Sequence, residues 1–261
     1  MTLKFTALPG YTSRENKMND QLNELFAKWY AYLKAGAAGR FDPATFIPDG
    51  FYPQYTTQKK KILFIGREGL WEPGANYIDL LYGWYTNKDD TKNDDHKKLV
   101  NGHKFHRLLL KISYGLNHGC LPWAEIPDAD KLTETFGVPG GFSFAFMNLS
   151  KLSNATEHWR LTPKAVNDFL ECSNASGDNF FNREISIFEP NLIITMNFRD
   201  KWLNSLGECK TLPAATNQLG QNLLEVNGRE TLLLNAYHFS AVNKSDQTAY
   251  YDLYRSTVFW T

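Results

Sequence analysis

Three short segments of this chain carry side chains that could do chemistry: Gly66–Gly74, Met147–Lys151 and Asn235–Ala241. In the first segment, glycines surround Glu68, and a tight turn there would present backbone N–H groups beside a carboxylate. The second holds Asn148, whose amide both donates and accepts hydrogen bonds, as reading an amide-like base edge requires. In the third, His238 could serve as a neutral donor or as an acid or base. These residue types are candidates for a ligand-binding or catalytic site.

Each of these side chains also has a purely structural interpretation. Glu68 could cap an ordinary strand-to-helix loop, Asn148 could tie down its own loop, and His238 could be hydrogen-bonded near the core. The first segment matches neither Gly-x-Gly-x-x-Gly nor a P-loop, which removes the main support for dinucleotide or triphosphate binding. Residue types alone therefore leave a functional and a structural interpretation open.

The elements that must position these residues are four short apolar runs, which predict buried parallel strands because they lack strict alternation. They are Lys61–Gly66, Phe142–Leu149, Asn191–Asn197 and Thr231–His238. Helical patterns lie between them, at about 16–34, 99–114, 163–172, 185–188, 199–206 and 247–254. Alternating strands and helices predict an α/β fold, in which ligands bind beyond the carboxyl ends of the strands. We therefore expect the strand-end residues Gly66, Asn148, Asn197 and His238 to converge on one rim.

Composition restricts the classes of function. The 261 residues suffice for one large domain, and we expect residues 1–58 to form a helical extension packed on it. With 28 basic and 28 acidic residues the net charge is zero, which counts against a strong general DNA binder. The three cysteines form no Cys-x-x-Cys, and no apolar run could span a bilayer. We expect a cytoplasmic protein without metal, cofactor or membrane contact, whose oligomeric state the sequence does not indicate.

A second histidine pair lies in His103-x-x-His106, on a predicted helix. This spacing could ligate zinc, but no third ligand is evident, and a solvated basic face is the favoured interpretation. The basic residues of this face are the best local candidates for phosphate binding: Lys97, Lys98, Lys104, Arg107 and Lys111.

The order of these motifs resembles the uracil-DNA glycosylase superfamily, over about residues 61–252. The resembling features are an apolar strand leading to Gly-x-acid, a strand ending in Asn, a Pro-Asn-Leu-Ile-Ile strand and a last strand ending in His-x-Ser. The resemblance implies a divergent member with a three-layer α/β/α sandwich around a central four-stranded parallel sheet. It also implies a hydrolase that repairs DNA by cleaving the N-glycosidic bond of a flipped, uracil-like base, without a cofactor.

The resemblance also implies roles for individual residues. Glu68, with Glu72 as the competing register, takes the place of the acid that orients water or stabilises the sugar cation. Asn148 takes the place of the base-recognising asparagine. In His238-Phe239-Ser240, which stands where the family has His-Pro-Ser, His238 would bind a base carbonyl and Ser240 a phosphate. The expected catalytic residues are Glu68 and His238, and the substrate-binding residues are Gly66, Arg67, Gly69, Trp71, Asn148 and Ser240.

The chain also departs from the family pattern. Glu68 replaces an Asp, and Gly69 and Phe239 replace prolines. A homologue that binds nucleic acid or protein without catalysis, and a small-molecule nucleoside or nucleotide hydrolase, therefore remain alternatives to a glycosylase. For stacking on a base, the aromatic candidates are Trp71, Tyr77 and Phe142, and for a wedge entering the duplex they are Phe239 and Val242.

Overall fold

A computed structural model describes residues 8–36, 42–70, 76–86, 100–154, 163–175, 177–213, 216 and 218–258. Seven strands of these residues form one sheet in the order β1-β3-β2-β4-β7-β6-β5. They are β1 (Gly50–Phe51), β2 (Ile62–Leu70), β3 (Ala145–Asn154), β4 (Leu192–Met196), β5 (Cys209–Leu212), β6 (Gly220–Val226) and β7 (Arg229–Ala236). Strand β2 pairs in parallel with β3 and β4, and β4 pairs in parallel with β7. The predicted α/β class is confirmed.

The sheet is larger and more mixed than the four parallel strands that we expected. Strand β1 adds to β3 in the antiparallel direction, and β6 pairs antiparallel with both β5 and β7. Strands β6 and β7 are joined at Asn227-Gly228, where both residues have positive φ (51° and 72°). Asn-Gly suits this two-residue hairpin turn, because both positions need the left-handed region. That signal was present in the sequence, but the prediction did not use it.

Strands β2 and β3 continue past the predicted strand ends. Gly66 pairs with Asn148 and Glu68 with Ser150, and a register shift then brings Gly69 opposite Ser153. The expected tight turn beginning at Gly66 is therefore wrong for residues 66–70, which are strand. Backbone pairing between the two strands sustains this polar, glycine-containing stretch.

Helices cover both faces of the sheet. They are α1 (Ser13–Gly36), α2 (Tyr77–Thr86), α3 (Lys104–Asn117), α4 (Ala129–Leu132), α5 (Pro163–Asn174), α6 (Phe180–Phe188), α7 (Asp200–Leu206), a π-helix (Gln247–Tyr251) and α8 (Asp252–Val258). Helix α2 was not predicted, because its aromatic sequence shows no clear polar face. No helix of the described ranges is long and apolar enough to cross a membrane.

Alternate side chains of β2 enter two hydrophobic cores, as a strand with both faces buried requires. Ile62 and Phe64 pack with α2, α3 and α8. Leu63 and Ile65 pack with α1, α5 and α6. The segment predicted as a helical extension, residues 1–58, contributes α1 to the second core and β1 to the sheet.

Candidate functional site

A cleft of about 910 Å³ opens where β2, β3, β4 and β7 lead into their following segments. Of the eight predicted site residues, the cleft is lined by Gly66, Arg67, Glu68, Asn148, His238 and Ser240. These residues come from three separate strands or strand ends, so the fold brings together the segments that the sequence separates by up to 174 positions. Ligands of open α/β sheets bind at this edge.

Two predicted residues do not line the cleft in the described part of the chain. Gly69 is buried behind it, where an added Cβ would lie 3.0 Å from Ile47 Cδ1 and 3.8 Å from Asn148 Nδ2. Trp71 lies outside the described residues, as does Glu72, the alternative acid. Among the described residues, Glu68 is the acid that lines the cleft.

Gly66 allows the close packing on which the cleft depends. A Cβ at this position would lie 2.8 Å from Asn148 Oδ1 and 2.9 Å from Phe146 Cζ. Both separations are shorter than carbon atoms tolerate, so a side chain would displace the amide or the ring. The glycine is needed for close approach across the strand pair rather than for the turn that we expected.

Asn148 is held by its backbone and leaves its amide directed at the cleft. The residue is 2% exposed, and its N–H donates to Asp49 Oδ2 at 2.5 Å. Its side chain lines the cleft and makes no hydrogen bond to any other residue of the described ranges. Buried amides normally have hydrogen-bond partners. Because the Asn148 amide has none in the described chain, it can bind a ligand that offers both a donor and an acceptor.

A buried charge network supports Asn148 from behind. Lys151 Nζ lies 2.6 Å from Asp49 Oδ1 and 2.8 Å from Glu184 Oε2, and all three side chains are fully buried. Burial raises the pKa of Glu184 well above its ordinary value, with Lys151 opposing that rise. One lysine facing two carboxylates is balanced when Glu184 keeps its proton. We refer to Asp49, Lys151 and Glu184 as the buried triad.

His238 is a neutral hydrogen-bond donor at the rim of the cleft. Burial, and then the positive charge of Arg67, lower its pKa to about 4. Its Nδ1 accepts a hydrogen bond from the backbone N–H of Ser240 at 3.2 Å. In the neutral ring the proton must then reside on Nε2, which is left to donate to a ligand. Tyr250 and Ala241 both bind the His238 carbonyl and so fix its position.

An aromatic wall stands beside these polar groups. Tyr77 stacks on Phe146 with a centroid separation of 5.3 Å and an interplanar angle of 28°. Phe105 packs edge-on against Phe146 and lies 5.9 Å from the ring of His238. All three aromatic residues line the cleft. Such a wall suits the flat face of a base.

Of the aromatic residues predicted to stack on a base, one lines the cleft, one is buried in the core, and Trp71 lies outside the described residues. Tyr77 lines the cleft, but Phe142 is fully buried in the core against Phe136 and Tyr114 and cannot reach a ligand. Phe146 was missed, although it precedes Asn148 by two residues in one strand and so shares its face. Phe105 was missed because its approach depends on tertiary packing.

Of the two wedge candidates, the structure leaves one available. Phe239 is fully buried against Phe64 and Tyr250. Val242 is 81% exposed and follows Ala241, which lines the cleft. Of the two, Val242 is therefore the side chain that is open to solvent.

The solvated face predicted around His103 and His106 holds for His103, which is exposed, but not for His106, which is half-buried. Both histidines line the cleft, and His106 accepts or donates a 2.6 Å hydrogen bond with the Tyr85 hydroxyl. Burial, and then His103, lower the pKa of His106 to about 3. No cluster of three or more metal-ligating side chains occurs within the described ranges.

Three of the five predicted phosphate-binding residues contact other groups of the protein. Lys104 Nζ donates to the carbonyls of Ala241 and Lys244, and Arg107 Nε lies 2.8 Å from Asp246 Oδ2. Lys111 is 7% exposed and sits over the ring of Trp123. The remaining candidates, Lys97 and Lys98, lie outside the described residues. The helix face therefore stabilises the loop after β7 instead of presenting free cations.

Comparison with known proteins gives no family assignment: no protein-family model matches the chain, and no curated protein matches it significantly.

Proposed function

We propose that this chain is a DNA base glycosylase of the uracil-DNA glycosylase-like fold, which hydrolyses the N-glycosidic bond of a flipped, uracil-like base. The observation that carries the proposal is the convergence of Glu68, Asn148 and His238 on one cleft. An unpaired amide, a neutral imidazole donor and a carboxylate form a complementary set for a base and its sugar.

In this proposal the base enters the cleft between the aromatic wall and the Asn148 amide. Flipping a base costs a few kcal/mol of stacking and pairing, which stacking on Tyr77 or Phe105, the two half-buried rings of the wall, offsets in part. The amide donates from Nδ2 to a base carbonyl and accepts at Oδ1 from the adjacent ring N–H. A uracil-like edge presents this pair of groups, and an asparagine amide complements both.

Cleavage breaks the bond between the base nitrogen and sugar C1′, and the electron pair leaves with the base. The Nε2–H of His238 donates to the base carbonyl on which negative charge develops. The lowered pKa of His238 keeps its imidazole neutral at pH 7. The hydrogen bond from Ser240 N–H to Nδ1 leaves the proton on Nε2, so this atom is the donor. Glu68 stabilises the positive charge on the sugar and orients the water whose oxygen bonds to C1′. The water proton passes to solvent or to the leaving base.

The test is base excision from labelled single- and double-stranded oligonucleotides that carry uracil, hypoxanthine, xanthine or a mismatch. We expect strand cleavage at the resulting abasic sites with the wild type, and its loss in Glu68→Gln and in His238→Ala. The exposed histidine variant His118→Ala is the matched control and should retain full activity. Folded protein in excess that cleaves none of these substrates would contradict the proposal and favour a binding role.

A small-molecule nucleoside or nucleotide hydrolase is the second candidate, and one observation favours it. On α3, the helix predicted to bind DNA phosphates, Lys104 and Arg107 are bonded instead to the loop after β7. Release of free base from deoxyuridine or its monophosphate, at a rate above that from any oligonucleotide, would identify this second activity.

A further inference from the structure

Two arginines meet at one end of the cleft, on the same tryptophan. The guanidinium carbon of Arg67 lies 5.9 Å from the centroid of the Trp202 ring, and that of Arg199 lies 5.8 Å from it. Trp202 is 3% exposed, and its indole N–H donates to Asn167 Oδ1 at 3.0 Å. A fixed aromatic platform therefore positions two cationic groups, since guanidinium groups stack favourably on such rings.

Neither arginine has a hydrogen-bonding or ion-pair partner among the described residues, and this sets the pair apart. The other described arginines each donate to a protein carboxylate or carbonyl: Arg14, Arg107, Arg183, Arg229 and Arg255. Solvent exposure does not explain the difference, because the side chains of Arg14 and Arg183 are 58% and 42% exposed and are still paired.

Arg67 has a buried hydrogen-bond donor, its Nε, without an acceptor in the described chain. Burial lowers the pKa of Arg67, Glu68 opposes that effect, and the like charge of Arg199 adds to it. An unsatisfied buried donor on a charged group costs free energy, which an anion bound there would recover.

The arginine pair adjoins the proposed base site. Arg67 stands between Gly66 and Glu68 on β2, and its charge contributes to the lowered pKa of His238. Glu68 is the single carboxylate among the described residues that line the cleft, so Arg67 and Arg199 leave it with a net positive charge. Both arginines line the same cleft as Asn148 and His238.

We propose that Arg67 and Arg199, held on Trp202, form an anion subsite that binds a phosphate group of the nucleotide whose base occupies the cleft. This inference rests on the proposed function for the identity of the ligand, but the subsite itself can be tested separately. Guanidinium groups bind phosphate oxygens in a bidentate manner, which lysine cannot reproduce. The phosphate belongs either to a free nucleotide or to a DNA strand, and the chemistry is shared.

The experiment measures binding of inorganic phosphate, deoxyuridine, its 5′-monophosphate and a short single-stranded oligonucleotide by titration calorimetry. We expect the monophosphate or the oligonucleotide to bind more tightly than the nucleoside. Arg67→Met and Arg199→Met should each weaken that binding about tenfold or more, and should weaken deoxyuridine binding much less. Arg67→Lys should recover only part of the loss.

The control is Arg183→Met, which removes an equal charge from an exposed ion pair on α6, and which should leave every affinity unchanged. Unfolding midpoints of all variants establish that they are folded. A loss confined to the monophosphate identifies a free nucleotide as the phosphate source, and a loss confined to the oligonucleotide identifies a strand.

Equal affinities in wild type, Arg67→Met and Arg199→Met, or no binding of any phosphate-bearing probe, would overturn the subsite. Failure of the proposed function looks different: no base is released, yet phosphate binding is still lost in the arginine variants.

Discussion

The buried triad and the arginine pair are two groups of charged side chains that differ in whether the protein supplies their partners. Asp49, Lys151 and Glu184 are fully buried and bonded to one another. Arg67 is half-buried with an unpartnered Nε, and neither it nor Arg199 has a protein acceptor in the described chain. The charges of the buried triad are paired within the protein, whereas the arginines at the cleft have no such partner among the described residues. We interpret this difference as one between residues that stabilise the fold and residues that we propose to bind a ligand.

The largest expected effect breaks the triad. Lys151→Met should lower the free energy of unfolding by about 3–5 kcal/mol, because it leaves Asp49 and Glu184 buried together without a cation. Urea unfolding at pH 7 measures this. Lys201→Met, which removes an exposed lysine paired with Glu171, is the control and should change stability by less than about 0.5 kcal/mol. A cost below about 1 kcal/mol for Lys151→Met would refute the structural role of the triad.

The next effect is a loss of stability in acid caused by the cleft imidazoles. His106 and His238 have folded-state pKa values of about 3 and about 4, both below the ordinary 6.5. The unfolded chain therefore takes up protons first as the pH falls below about 6.5, and stability declines until the folded-state pKa is reached. Between pH 7 and pH 5 each imidazole should cost about 2 kcal/mol.

Urea unfolding of the wild type and of His106→Gln at these two pH values measures this contribution. The difference in stability between the two pH values should be smaller in the variant. The exposed His118→Gln should behave as the wild type does. An unchanged pH dependence in His106→Gln would show that this imidazole is not desolvated.

A smaller loss of stability is expected when the close packing of Gly66 against Asn148 is disrupted. Gly66→Ala should cost about 1–3 kcal/mol of stability, because its Cβ meets the Asn148 amide and the Phe146 ring. Base excision should fall together with stability as the amide is displaced. Gly83→Ala, on α2 with no atom within 4 Å of the added Cβ, should be neutral or slightly stabilising. Full excision by Gly66→Ala would contradict the packing argument.

The smallest expected effect concerns the stability of an arginine variant, compared with that of the triad variant Lys151→Met. Arg67→Met should change the free energy of unfolding by less than about 1 kcal/mol, because no protein group loses a hydrogen bond. Chemical unfolding alongside Lys151→Met measures both under one condition. A destabilisation of Arg67→Met that equals that of Lys151→Met would remove the distinction between paired and unpaired charge.

Sequence patterns predicted the parts of the fold that depend on local hydrophobicity. The four apolar runs are strands because each is buried on both faces, and the helical pattern predicted at about 16–34 is α1. The pairing of Gly66–Leu70 with β3 was not predictable, since it depends on a partner strand about 80 residues away. Strand β1 has only two residues and escapes any periodicity.

The site was predictable where a residue lies at or just beyond the end of a predicted apolar run. Glu68, Asn148 and His238 were found in this way, and the cleft contains all three. Arg199 and Phe105 were missed because a loop and a helix bring them to the cleft only after the chain folds. Lys104 was misjudged because nothing in its sequence surroundings reveals its bonds to Ala241 and Lys244.

The central claim is that Asn148 reads the edge of a base before its bond to sugar is cleaved, and Asn148→Asp tests it most directly. A carboxylate accepts but cannot donate, so it disfavours the uracil edge and accommodates the amino group of cytosine. Base release from matched uracil and cytosine oligonucleotides gives the preference ratio, which a merely structural role would not move. We predict that the ratio of uracil to cytosine release falls by at least about tenfold. Release of uracil by the wild type with an unchanged ratio in Asn148→Asp would contradict the account.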